Sequence, residues 1–236
     1  MKKAAVVLLM AASLLMAGMA EAAKPKKRTR NANRIGAYGS VMAGHSTYGG
    51  DHTQDENVLI ASLENAGVPF QNVTASTKDS DIGYQAAFGY RFARHFAFEV
   101  ALAQFGDLRS TGRGELDFDE GFVPTSLTRK FSVGGPIFSM VGILPINQSF
   151  ELFVRAGFLF AATQLQISSR IDGQSGGFGS AKGDSNNAVL GLGAAWHFNQ
   201  AYSVRAEYLN LGKVGENNGS GREDLSAINL GVVIRF

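Results

Sequence analysis

Five stretches of the chain alternate large apolar with small or polar side chains. In IGYQAAFGYRF, Ile82, Tyr84, Ala86, Phe88, Tyr90 and Phe92 share one parity, and Gly83, Gln85, Ala87, Gly89 and Arg91 the other. FAFEVAL sets Phe96, Phe98, Val100 and Leu102 against Glu99; the run from Phe150 sets Leu152, Val154, Phe158 and Phe160 against Glu151, Arg155 and Gly157. From Tyr202, Val204 and Tyr208 oppose Arg205 and Glu207, and the chain closes on Ile228, Leu230, Val232, Ile234 and Phe236, with Arg235 in the opposite phase. A strict period of two predicts strands rather than helices. All seven charged residues in these stretches (Arg91, Glu99, Glu151, Arg155, Arg205, Glu207, Arg235) lie opposite the bulky apolar set.

Alternation suits a soluble sandwich and a membrane barrel equally well, and the connections separate them. The pattern predicts eight strands, at about Ile35–Gly44, Ile82–Phe92, Phe96–Gly106, Arg129–Leu144, Phe150–Ile167, Asn186–Phe198, Tyr202–Gly212 and Leu225–Phe236. Short links (Ala93-Arg94-His95, the stretch around Pro145–Gln148, and Asn199-Gln200-Ala201) alternate with long ones (Ser46–Asp81, Asp107–Thr128, Ser168–Ser185, Lys213–Asp224). Short turns at one end and long loops at the other are the asymmetry of an outer-membrane barrel. The expected fold is all-β: an eight-stranded antiparallel up-and-down transmembrane barrel with short periplasmic turns and long extracellular loops. Its apolar face meets lipid and its charged face lines the lumen. Phe92, Phe96, Phe150, Phe198, Tyr202 and Phe236 then form a periplasmic aromatic girdle. Only the fourth strand, KFSVGGPIFSMVGIL, leaves its phase open, because Gly-Gly-Pro interrupts it.

Residues 1–22 read differently. Lys2 and Lys3, an apolar run from Ala4 to Met19 and Ala20-Glu21-Ala22 have the form of a cleaved signal peptide. Residues 23–33, AKPKKRTRNAN, form a basic periplasmic tail, read as solvated charge; a sharper reading has it bind anionic phosphates or a cell-wall polymer. The barrel occupies 34–236. Of 236 residues, 45% are hydrophobic and 18% charged, with Gly abundant at 29 and Pro scarce at 5; this suits closely packed strands. Cys is absent, which removes disulfides, thiolate metal sites and a cysteine nucleophile. The net charge of +2 favours no partner, and an exported chain gives no reason to expect nucleic acid.

The hairpins GYRFARHFAFE, LPINQSFELFVRAG and WHFNQAYSVRAEYLNLG, with the terminal LGVVIRF, resemble those of the OmpA-like eight-stranded outer-membrane barrels over essentially the whole of 34–236. The resemblance implies a Gram-negative outer-membrane location, contact with outer-membrane lipid and lipopolysaccharide, and insertion by the barrel-assembly machinery. It also implies that Ile228, Leu230, Val232, Ile234 and Phe236 are the assembly signal. The peptidoglycan-binding domain of the best-known members is not in this sequence.

Four candidate chemistries remain. The seven inward charges are expected to form an ion-pair network that plugs the lumen; the alternative is a narrow pore lined by them. Thr53-Gln54-Asp55-Glu56 fits a capping box, so a short helix is expected in the first long loop, with Val58, Leu59, Leu63 and Ala66 toward one side. The acidic stretch GELDFDEGF lacks calcium-loop spacing and is read as solvated surface. Of the four histidines, His45 and His52 precede the hydroxyls of Ser46 and Thr53 but have no orienting carboxylate at a telling position, His95 lies in a turn, and His197 is in lumen phase. No enzyme, cofactor or metal is therefore expected. The expected role is structural, in envelope integrity, or adhesion-like, through loops that contact a host or environmental surface. The alternatives are a small-solute or ion channel and, behind it, a lipid-modifying enzyme.

Overall fold

A computed structural model describes residues 34–49, 56–57, 60–61, 70–118, 121–215 and 223–236. The expected signal peptide and basic tail lie outside the described residues. Ten strands appear: β1 (Gly36–Gly49), β2 (Phe70–Lys78), β3 (Ser80–Ala93), β4 (Phe96–Gln104), β5 (Leu108–Phe118), β6 (Gly121–Pro145), β7 (Phe150–Ile171), β8 (Gln174–His197), β9 (Tyr202–Val214) and β10 (Glu223–Arg235). Eight of them pair antiparallel in a closed ring, β1-β3-β4-β6-β7-β8-β9-β10 and back to β1. β2 and β5 continue the walls begun by β3 and β4 beyond short breaks, pairing with each other and with β6. Closure leaves no open edge around the ring of eight, as a bilayer requires; beyond it β2 pairs only with β5, and the outer half of β8 only with β7. The last strand pairs with the first from Tyr38 opposite Arg235 to Gly49 opposite Asp224, and the Phe236 N–H donates to the Ala37 carbonyl.

The walls obey the expected phase. Ile82, Phe88, Leu102, Phe138, Val154, Phe158, Leu190, Leu192, Ile228 and Leu230 are exposed on the outside, where lipid lies. Their neighbours at odd spacing are buried or half-buried. The open phase of β6 resolves without a slip: β6 stays in one register with β7 from Thr125 opposite Ile171 to Pro145 opposite Glu151. Ile137, Ser139 and Val141 point inward, and Phe138, Met140 and Leu144 outward.

The periplasmic turns repeat because one device closes two of them. The Asn147 side-chain oxygen accepts from the Ser149 and Phe150 N–H groups at 2.8 and 2.9 Å; the Asn199 oxygen accepts from Ala201 and Tyr202, both at 2.8 Å. The shared Asn-Gln-Ser/Ala-aromatic sequence is thus an Asx turn running into a strand. The girdle stands around these turns. Phe92 stacks on Phe96 and Trp196 packs on Phe198, all four exposed together with Tyr202, whereas Phe150 and Phe236 are half-buried.

Three expectations about the long connections need correction. Asp107–Thr128 and Ser168–Ser185 are not loops but extended hairpins projecting from the barrel. β7 and β8 are joined by Asp172-Gly173 alone, with φ of +49° and +74°, the I′ geometry that suits a twisted two-residue hairpin. The helix expected in the first loop is not among the elements. Glu56, Asn57, Ile60 and Ala61 have helical backbone, while Val58, Leu59, Leu63 and Ala66 lie outside the described residues.

Candidate functional site: a layered lumen

The inward charges fall into two groups. The deeper one centres on Glu99 of β4. Its Oε1 accepts from Arg205 Nη1 at 2.5 Å and from the Tyr38 hydroxyl at 2.5 Å, and its Oε2 accepts from Arg155 Nη2. Arg155 Nε lies 2.9 Å from Glu207 Oε1, and Arg205 Nη2 lies 3.4 Å from the same oxygen. Glu99, Arg155 and Glu207 have fully buried side chains. Two arginines face two carboxylates, so the group is neutral. Matched charges offset the cost of burying such a set in low dielectric, while Arg155 Nη1, Arg205 Nε and Glu207 Oε2 have no hydrogen-bond partner among the described residues. The Arg205 guanidinium also lies 3.9 Å above the Phe153 ring, a cation–π contact.

The second group sits at the periplasmic end around Glu151 of β7. Arg91 Nη1 donates to both its oxygens, at 2.9 and 3.1 Å, and Arg34 Nη1 donates to Oε1 at 3.2 Å. Arg235 Nη1 donates to His197 Nδ1 at 3.2 Å, which leaves the other ring nitrogen, Nε2, to carry a proton facing Glu151 Oε2, 3.1 Å away. Arg235 Nη2 is 3.9 Å from the same carboxylate. A single glutamate thus meets three arginines and a histidine.

Apolar layers separate and cover these groups. Tyr38, Ala97, Val141, Phe153 and Val233 form a thin layer between them. A cavity of about 40 Å³ beside this layer, bordered by Tyr38, Arg91, Glu99, Glu151, Ser203 and Arg205, has room for about three waters. Toward the outside, Tyr48, Phe105, Phe131, Ile137, Leu159, Leu209, Leu211 and Leu225 join smaller residues in one continuous buried cluster. Inward glycines make space for the large side chains of neighbouring strands: a Cβ on Gly89 would strike the Tyr38 ring, and one on Gly193 the Phe153 ring.

All seven residues expected in the lumen point inward, split between the two groups: Glu99, Arg155, Arg205 and Glu207 in one, Arg91, Glu151 and Arg235 in the other. His197 joins the second. Sequence reasoning missed Tyr38, whose parity with Ser40 and Met42 in the first strand was the available signal, and the part of Arg34. It also missed the apolar cap. In a filled barrel the inward face need not be polar, and Leu159, Leu209 and Leu211 lie on the same parity as the charges. His45 is exposed on the outside and Ser46 buried inside; consecutive strand residues point to opposite faces, so these two cannot act as a pair. Among the described residues no group of three acidic or histidine side chains could hold a metal. The terminal apolar set lies outward, with Ile228, Leu230 and Val232 exposed and Ile234 and Phe236 half-buried.

Comparison with solved structures returns other outer-membrane barrels. Ail, the attachment invasion locus protein of Yersinia pestis solved with the heparin analogue sucrose octasulfate, is 13% identical; the match covers 86% of this chain and 100% of that one, at a TM-score of 0.36. OprG of Pseudomonas aeruginosa is 12% identical over 86% and 97%, TM-score 0.40, and the outer-membrane protease OmpT of Escherichia coli is 8% identical over 86% and 94%, TM-score 0.35. No curated protein sequence matches. The profile of the OmpA-like transmembrane domain matches residues 33–236, and with the closed eight-stranded ring this chain belongs to the OmpA-like transmembrane-domain family, whose place is the outer membrane of Gram-negative bacteria.

Proposed function

We propose that the barrel is a non-conducting outer-membrane anchor whose lumen is a structural plug, and that its work is done by the extracellular hairpins, in surface contact or envelope integrity. The observation that carries this reading is the layering of the lumen. A pore needs a continuous polar path, and here a cluster of buried aliphatic and aromatic side chains, with only scattered buried polar residues such as Ser46, Gln85, Thr163 and Asn187 on the same inward face, lies above a neutral ionic layer. An aqueous file through that cluster would have to displace Ile137, Leu159 and Leu209, each without exposed surface. The seven charged residues are accordingly assigned to holding the walls together, and the outward residues of the final strand to assembly.

Single-channel recording tests the proposal. Refolded mature protein inserted into a planar bilayer is expected to be silent, with insertion verified by protection of the strands from protease. Reproducible conductance steps whose ion selectivity shifts on changing Arg155 or Glu207 would overturn it in favour of a channel.

A further inference from the structure

The periplasmic group of charges does not balance. Arg34, Arg91 and Arg235 meet one glutamate, Glu151, and His197, which accepts from Arg235 at Nδ1, adds no countercharge. Even with the Phe236 carboxylate counted at the rim, three guanidiniums face two anions. Glu151 is already fully engaged: Arg91 donates to both of its oxygens, Arg34 donates to Oε1, and His197 Nε2 stands 3.1 Å from Oε2. Arg91 uses its other two nitrogens on the Ala93 and Arg94 carbonyls, and Arg34 Nη2 donates to the Gln148 carbonyl. Arg235 is left over. Its Nη2 is 3.9 Å from Glu151, too far for a hydrogen bond, and its buried Nε has no hydrogen-bond partner among the described residues.

Two more donors stand beside it in the same condition. The Ser203 hydroxyl, fully buried, and the buried Arg205 Nε have no hydrogen-bond partner among the described residues. Ser203 of β9 pairs with Val233 of β10, two residues before Arg235, and Arg205 lies two residues after Ser203. One strand spacing and one two-residue step, about 5 and 7 Å, therefore separate three inward side chains. All three border the cavity of about 40 Å³, together with Tyr38, Arg91, Glu99 and Glu151; the other side chains of its wall are apolar. Glu99 offers them nothing further, because its Oε1 accepts from Arg205 Nη1 and the Tyr38 hydroxyl and its Oε2 from Arg155. The wall thus carries three arginines against two carboxylates, and its unused polar atoms are donors.

From this convergence we infer a lumen binding site for a small monovalent inorganic anion of chloride size, held by Arg235, the Ser203 hydroxyl and Arg205 Nε. Water would accept from the donors but leave the surplus charge uncompensated, and an unpaired charge in low dielectric is heavily penalised. A halide answers both needs. Room for about three waters admits a halide with water beside it, and excludes a saccharide or a lipid headgroup. The side chains of Arg34 and Arg235 keep 22% and 14% exposure, so the site fills from the periplasmic mouth. Toward the outside it is closed by the Glu99 layer and the apolar cluster. The anion therefore completes the plug instead of marking a station on a path, and in that respect the inference rests on the reading of the lumen as closed.

The test titrates chloride against gluconate, an anion too large for the cavity, at constant ionic strength. The mature chain is refolded into phosphatidylcholine vesicles, and urea unfolding is followed by Trp196 emission. The native midpoint is expected to rise with the logarithm of chloride concentration. Once the site is mostly filled, each tenfold should add about 0.7 M of urea, the shift that linkage gives for one anion released on unfolding. Arg235→Gln is expected to abolish this dependence. Ser203→Ala, which removes one donor and no charge, should need at least about tenfold more chloride for the same shift. Heat-modifiable migration on a gel verifies the fold of each variant, and Ser203→Ala carries the comparison if Arg235→Gln does not fold. Equal native midpoints in chloride and gluconate would overturn the inference, as would a folded Arg235→Gln or Ser203→Ala with the native chloride dependence. Crystals grown in bromide locate the site: an anomalous peak is expected within hydrogen-bond reach of Ser203 Oγ, and water alone in the cavity would overturn the inference. Conductance recorded on the same preparations reports on the closed lumen separately.

Discussion

Replacing Arg155 with alanine probes the lumen at the point where most is at stake. The guanidinium bridges Glu99 and Glu207, and all three side chains are fully buried. Its removal leaves Glu99 with Arg205 and Tyr38, and leaves Glu207 with only the longer 3.4 Å contact to Arg205. The group passes from neutral, two arginines against two carboxylates, to one excess negative charge in low dielectric. Breaking a buried pair on one side costs about 3–5 kcal/mol. With a urea dependence of about 2 kcal/mol per molar, the unfolding midpoint should fall by about 1.5–2.5 M. Trp196 is the one tryptophan and is 56% exposed on the lipid face, so its emission in vesicles reports loss of the bilayer environment. Adding Glu207→Gln to Arg155→Ala restores charge balance and should recover part of the loss. Arg113→Ala, on the exposed sheet, should leave the midpoint unmoved. If the Arg155 and Arg113 variants unfold at the same urea concentration, the ionic layer is not what holds the walls.

Tyr38→Phe removes only the hydroxyl that donates to Glu99; it should cost about 1.5–3 kcal/mol in the same urea titration, and an unchanged midpoint would remove Tyr38 from the network. Gly89→Ala places a methyl against the Tyr38 ring, and this close approach should destabilise by about 1–3 kcal/mol. A double variant with Tyr38→Ala should lose most of that penalty. Deleting Phe236 removes an outward aromatic and the N–H that ties the terminus to Ala37. Expression in cells should then yield less heat-modifiable protein in the outer membrane, whereas refolding in detergent should be much less affected; an equal yield in the membrane would argue against an assembly role.

The transmembrane ring was legible because its signal is local. In a strand the side chains alternate at a period of two, and lipid imposes an apolar face on every wall, so Phe88, Phe158 and Leu230 announce their direction without reference to any neighbour. The charges followed from the same rule: Arg155 and Glu207 could only point away from lipid. The phase of β6 could not be read locally, because Gly134-Gly135-Pro136 offers no bulky side chain to mark a face, and it was settled by unbroken pairing with β7. The tight hairpin at Asp172-Gly173 had a sequence signal, an Asp-Gly pair, hidden in a polar, glycine-rich stretch that lacks the apolar alternation of a lipid-facing strand.

The sequence by itself determined the two faces, the eight walls, the order of short and long connections and the seven charged residues confined to the lumen. Each depends only on a residue's own strand and the solvent on either side of it. The tertiary structure alone decided how that set is partitioned. Glu99 meets Arg155 and Arg205 from strands 56 and 106 residues away, and Glu151 gathers Arg34, Arg91, His197 and Arg235 from four other strands or their ends. Those distances depend on how far each strand is staggered when the ring closes, a property of all eight pairings together. The same stagger stacks Ile137, Leu159 and Leu209 into a cap over the ionic layer, and aligns Lys78, Arg109 and Lys130 into one row on the outer sheet.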